Sequence, residues 1–401
     1  MSQLSPVALR ERMVTLDVLR GFALCGVLIG NLFWLYSGRM WGADPPGASI
    51  LDDTARWFVA IVVQSKAQTL LTFLFGFGFA VQLLRSQDRN EPVMGIYVRR
   101  LLALLVIGVL HVVVLWWGDV TWTYAVAGFG LLLFQRASNR ARIAWAFALI
   151  FVPHLLMHVE VIRNAVVGVF SAPRAFRGFM NEVGVAARGT SYLDVVRAHV
   201  RLAVAYQAPI YAWYYAWLVG RFLLGYVAGT QRWFENEGAN HLELFRRMLA
   251  WGLLLGSADA TVSTLRALGA FDGYELTLVA KLGLAALQEV GYLSLAAAYM
   301  ALLVLLMQRA AWRRVLVIVA PAGRMPLTTY ILQSAICVPL FYGWGFGLAG
   351  ELNASGCLGL AFAIFAVEVA LCHLWLRWFR FGPLEWVWRT AVYLRRSPMR
   401  V

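Results

Sequence analysis

Ten apolar runs divide the chain, at residues 18–37, 58–84, 101–117, 120–135, 143–170, 209–229, 248–265, 282–307, 327–346 and 356–376. Most approach the roughly 20 apolar residues that a helix needs to cross the hydrocarbon core of a bilayer. The fourth run is short, and the fifth is long enough to tilt. Lipid cannot satisfy backbone N–H and C=O groups, so such runs predict helices that bond within themselves. The expected fold is an all-α, polytopic membrane helix bundle of about ten transmembrane helices, with residues 1–401 forming a single domain.

Polar punctuation between the runs is brief except at 171–208. Within that segment Ser191-Tyr192-Leu193-Asp194 has the form of a capping box. Leu193, Val196, Val200 and Val204 recur at helical spacing, opposite Asp194, Arg197 and Arg201. The pattern predicts a short helix, either lying on the membrane surface or packed over the bundle.

Charge then orients the bundle. With a cytoplasmic N-terminus, the inner segments gather 22 of the 35 basic residues and the outer segments 9. Cytoplasmic loops collect Lys and Arg, so the bias predicts both termini in the cytoplasm and the 171–208 loop outside. It also gives the net charge of +14 a topological cause and argues against a nucleic-acid partner.

Composition agrees: 61% of residues are hydrophobic and 14% charged, against about 45–50% and about 25% in soluble domains. The first run lacks a small-residue cleavage site and reads as a retained helix. Cys25, Cys337, Cys357 and Cys372 sit in or beside apolar runs without metal or disulfide spacing, and read as small packing residues.

Ionisable groups inside a membrane are functional candidates by default. His111 lies about two turns before the end of one run, and Asp119 follows at its mouth before the chain turns back into the next. An imidazole suits proton transfer near neutral pH, and an acid can orient it. Eight helical residues would hold the two roughly 12 Å apart, so a direct bond requires the chain to fold back near Gly118. The alternatives are a core histidine bonded to a neighbouring helix and an acid that caps the next span.

Arg20 and Asn31 are eleven residues apart on one helical face. They can hold an anion and a carbonyl, or they can snorkel, pair with Asp17 and bond a neighbouring helix. Arg324, Tyr330 and Gln333 open the ninth run from the cytoplasmic side, where a phosphorylated donor or lipid headgroups can be met. Tyr124 is a further hydrogen-bond donor for an oxyanion.

Lys66, Arg163, Arg221, Glu289 and Glu368 are further charges within runs, with Arg221–Glu289 and Lys66–Glu368 as candidate pairs. His154 and His158 share a face near Glu160, without a clear third metal ligand. Gly76-Phe77-Gly78 reads as a close-packing element.

Four stretches, LDVLRGFALCGVLIGN, RRLLALLVIGVLHVVVLWWGDVTWTYAVAG, GRMPLTTYILQS and GPLEWVWR, resemble the YeiB family, a bacterial membrane family with a domain of unknown function. Thr329 stands where that family usually has Asn, so this position does not carry essential amide chemistry here. The family in turn resembles transmembrane acyltransferases, namely the heparan-glucosaminide N-acetyltransferases and the acyltransferase type 3 proteins. The latter place His where this chain has Asn31.

The resemblance implies a multi-pass protein of the bacterial inner membrane that moves an acyl group from acyl-CoA or a lipid donor to a small-molecule, lipid or glycan acceptor. No bound cofactor or metal is expected. On that reading His111 is the base, Asp119 its orienting acid and Asn31 a polar stabiliser, while Arg20, Arg324, Tyr330, Gln333 and Tyr124 hold donor or lipid. Rival expectations are a transporter or lipid flippase built on Lys66, Arg221, Glu289 and Glu368, and a non-catalytic accessory protein. Membrane lipids are expected neighbours, and a homodimer is compatible with the sequence.

Overall fold

A computed structural model describes residues 13–42, 49–87, 93–159, 173–203 and 212–401. The described residues form helices and no strand. Among the described residues six helices are long and apolar enough to cross a membrane. A seventh span results if Ala310–Arg324 and Pro326–Phe341, bent by 81° against each other, count as one. The remaining apolar runs at 120–135, 143–170 and 209–229 fold as α5 (Thr121–Gly130), α6 (Asn139–Leu156) and α9 (Ala212–Thr230). The second half of the 143–170 run, with Glu160 and Arg163, lies outside the described residues, as does Val204.

The outer faces identify the solvent. Helix α4 (Val93–Val114) exposes Leu102, Val106, Val109 and Leu110, while Leu101, His111 and Val112 face inward. A water-facing helix would be polar on that side, whereas apolar residues on both faces suit lipid.

Without a hydrophobic drive between helices in lipid, small residues that allow backbones to meet set the packing. Gly76 of α3 (Lys66–Gln87) lies against the Phe222 carbonyl of α9, and Gly225 of α9 lies against the Phe73 carbonyl. A Cβ at either position would overlap main chain, so the Gly76 element is a close contact, as its sequence indicates.

Two interruptions position the functional residues. Helix α1 (Val14–Asn31) widens into a π-turn at Leu32–Tyr36. After α2 (Ile50–Phe58) a second π-turn, Val59–Val63, ends where Gln64 is extended and Ser65 takes a positive φ of 64°. Helix α3 therefore starts afresh at Lys66, inside the protein.

The long loop folds as α7 (Pro173–Arg188) and α8 (Tyr192–Leu202), with the Ser191 hydroxyl accepting from the Asp194 N–H at the start of α8. The buried stripe of α8 is Val195, Ala198, His199 and Leu202, while Leu193 and Val200 are exposed. That corrects the expected apolar face and selects packing over the bundle. The alternative stripe also recurs at i, i+3, i+4 and i+7, and it wins because bundle contact buries it on one side.

Helices α10 (Leu242–Ala267) and α11 (Leu278–Met307) pair closely. The bent element comprises α12 (Ala310–Leu316), α13 (Ala320–Arg324) and α14 (Pro326–Phe341). Its bend falls at Met325, which adopts φ −120° and ψ 52° before Pro326, because a residue preceding proline is excluded from helical geometry. Helix α15 (Ala354–Trp378) and the surface helix α16 (Pro383–Tyr393) complete the chain.

Candidate functional site

Helix α4 ends in a widened, π-type turn, where the Leu115 and Trp116 N–H groups both donate to the His111 carbonyl. The chain then reverses across the Trp116 indole at Gly118, where any side chain would strike the ring. The reversal brings Asp119 Oδ1 to 2.8 Å from His111 Nδ1. Asp119 Oδ2 accepts from the Trp122 N–H at 3.0 Å in the first turn of α5. Asp119 thus both orients the imidazole and caps the following helix. His111 and Asp119 are buried, and His111 Nε2 has no hydrogen-bond partner among the described residues. With Nδ1 committed to a carboxylate, Nε2 is the nitrogen left for a ligand.

Aromatic groups from distant parts of the chain close around this pair. The Tyr330 ring lies 5.5 Å from the imidazole, and its hydroxyl accepts from the Val120 N–H at 3.2 Å. Trp116 stacks on Tyr36 at 4.3 Å, and the Tyr36 and Ser334 hydroxyls are 2.7 Å apart. His199 of α8 reaches the same region beside the Val112 backbone and His111, without a hydrogen bond of ordinary geometry to either ring nitrogen. Burial, reinforced by the neighbouring His111, pushes the His199 imidazole down to about 3.

Beside the dyad a cavity of about 470 Å3 is lined by Asn31, Tyr124, Gly118 and Val120 and by Gln64, Ser65 and Gln68 at the break before α3. Asn31 therefore shares its space with the turn that carries Asp119, and His111 itself does not line it.

The expected donor group separates. Arg20 is paired with Asp17 at 3.1 Å, the alternative its position offered. Arg324 donates to the Arg380 carbonyl and lines an open cleft of about 430 Å3 with Asp17, His373 and Arg377. Tyr330 belongs to the His111 surroundings instead, and Gln333 donates to Glu368 and to the Leu24 carbonyl, both at 3.3 Å. The bend at Met325 explains the separation, because it turns α14 into the core while Arg324 stays at the end of the bundle.

The buried charges also divide. Arg221 Nη2 donates to Glu289 at 2.8 Å, as the sequence suggested, with Trp217 Nε1 on the other carboxylate oxygen and His154 Nδ1 3.9 Å away. Lys66 does not pair with Glu368. Its ammonium donates to the Ala60 carbonyl at 3.1 Å, lies over the Tyr292 ring and shares a cavity of about 930 Å3 with Asp259. The Glu368 carboxylate instead meets Gln333. No group of three or more His, Cys, Asp or Glu arranged for a metal occurs among the described residues.

Sequence reasoning missed Asp259 and His199. Asp259 is an acid inside the 248–265 run and is buried, so the rule that selected Glu289 applies equally to it. His199 was legible only through the second stripe of α8.

Residues 228–395 match the family described as Protein of unknown function (DUF418). The chain is 31% identical to the uncharacterized protein YxaH of Bacillus subtilis, over 100% of this chain and 98% of the relative. It is 27% identical to an uncharacterized 39.9 kDa protein in the amylase 3' region of Bacillus acidopullulyticus, over 99% and 98%. It is 26% identical to the uncharacterized protein YeiB of Escherichia coli, over 97% and 98%. No solved structure matches. Alignment along its whole length with these bacterial relatives and the DUF418 match place one conclusion beyond argument from motifs alone: the chain belongs to the YeiB-like family of membrane-type helical proteins.

Proposed function

We propose that this protein is an acyltransferase-like enzyme of the bacterial cytoplasmic membrane. The observation that carries the reading is the buried imidazole of His111, held through Nδ1 by Asp119 and open at Nε2. In the reaction, an acceptor O–H or N–H gives its proton to Nε2 while its heteroatom attacks the acyl carbonyl carbon. The new ester or amide bond forms as the thioester C–S bond of an acyl-CoA donor breaks. The leaving thiolate then takes the proton from the imidazolium. Asp119 holds the tautomer and stabilises the transient charge on the ring.

The donor's anionic part is assigned to the Arg20 and Arg324 end of the bundle, and the acyl group to the cavity at Asn31 and Tyr124. Arg20 and Asn31 are separated by roughly 16 Å of helix, so the donor must bind extended.

The test uses purified protein with a panel of acyl-CoA donors and a lipid extract as acceptor. Turnover is expected to vanish in His111→Ala and to fall at least about 100-fold in Asp119→Asn, with thermal midpoints close to that of the parent protein. Equal turnover in the parent protein and His111→Ala, or none with any donor, would remove the assignment.

A further inference from the structure

The break before α3 has a chemistry of its own. The first N–H groups of a helix have no intrahelical acceptor, and the helix dipole adds positive potential there. In α3 those groups belong to buried Lys66 and to Ala67 and Gln68, which line the cavity beside Asn31. Lys66 at this position works against the dipole, which favours an anion at a helix start. Its charge faces Asp259 in the neighbouring cavity.

A second observation points to a ligand. Tyr124 is 8% exposed, its hydroxyl has no hydrogen-bond partner among the described residues, and it lines the same cavity as Ala67 and Gln68. Asn31 adds an amide from the facing helix. The described lining residues include no Asp or Glu, and most of the remaining wall is apolar, with Val27, Leu35 and Leu71. A cavity of about 470 Å3 falls within the range of small-ligand sites.

We propose that this cavity binds a small amphiphilic oxyanion, its carboxylate or phosphate head at the start of α3 and the Tyr124 hydroxyl, its apolar body against α1. This is the cavity given above to the acyl group, but the site rests on the start of α3 and on Tyr124 and does not require His111 to act as a base.

Equilibrium dialysis of the full chain in lipid nanodiscs would measure binding of radiolabelled octanoate, octyl phosphate and the neutral control octanol. Saturable binding of at least one anion, well above octanol, is expected. The stronger of the two anions identifies the head as carboxylate or phosphate. Tyr124→Phe keeps the ring contacts with Phe75 and Phe222 and removes one bond to a charged group, so affinity should drop about tenfold. Leu71→Trp fills the cavity and should abolish binding. Octanol binding as well as the anions, no saturable anion binding, or an unchanged affinity in Tyr124→Phe would each overturn the proposal. Binding retained in His111→Ala, whatever that variant's turnover, separates this site from the proposed base.

Discussion

The Arg221–Glu289 pair offers the sharpest energetic test of the bundle. Both side chains are almost fully buried, at 1% and 3% exposure, with N and O 2.8 Å apart. The guanidinium also lies 3.3 Å from the centre of the Trp217 ring and donates through Nε to Thr69 at 3.1 Å. Glu289→Gln preserves size and the bond from Trp217 but leaves the Arg221 charge with only the ring and a hydroxyl. Breaking a buried pair from one side costs about 3–5 kcal/mol. Arg221→Met strands the carboxylate and should cost a similar amount. The double variant removes both charges, and losing a whole buried pair costs far less than stranding one of its members.

The expected signature is therefore a coupling of several kcal/mol, with the double variant more stable than either single one. Reversible unfolding in mixed micelles, measured for the four proteins of the cycle, reads it directly. Single variants costing under about 1 kcal/mol each, or a double variant equal to the sum of the singles, would refute the claim that the pair is desolvated and mutually compensating.

Other expectations follow from the same geometry. Gly76→Ala places a methyl against the Phe222 carbonyl. Main chain cannot rotate away as a side chain can, so the variant should lose about 3 kcal/mol or more, seen as a lowered thermal midpoint in detergent. His199 has its folded-state value depressed from 6.5 to about 3. Its contribution is complete above 6.5 and declines as pH falls toward 3, amounting to about 2 kcal/mol by pH 5. His199→Asn should flatten the loss of thermal stability between pH 7 and 5, and an unchanged acid limb would contradict the burial argument. Thr328→Val removes a hydroxyl bound to Glu385, whose carboxylate also accepts the Leu327 and Thr328 N–H groups. It should release α16 and speed proteolysis near residue 383, and an unaltered cleavage rate would argue against this anchor.

The helical character of the chain was legible because lipid imposes one backbone solution on every apolar run. The dyad was legible in part: the depth of His111 marked it, and Gly118 marked the reversal that a bond to Asp119 needs. Spacing alone offered Arg324, Tyr330 and Gln333 as one group, and they lie apart because one residue ahead of Pro326 redirects the helix that carries the last two. The candidate pair Lys66–Glu368 does not form, because an ion pair between spans depends on helix neighbours, which periodicity does not encode. The break at Ser65 left no turn signature at all: neither Gly nor Pro stands at residues 59–66, and a serine adopts the left-handed conformation there.

Asp119 divides its two oxygens between an imidazole and a peptide N–H. Those two duties have different tolerances to drift. Asn, Ser or Thr can each start a helix almost as well as Asp, so architecture alone would let this position wander among four residues over evolutionary time. Only the imidazole demands a carboxylate, and Asp119 meets both partners at once, at 2.8 and 3.0 Å. The spread of residues found here across many diverged members of the family is thus a record of whether the histidine is in use.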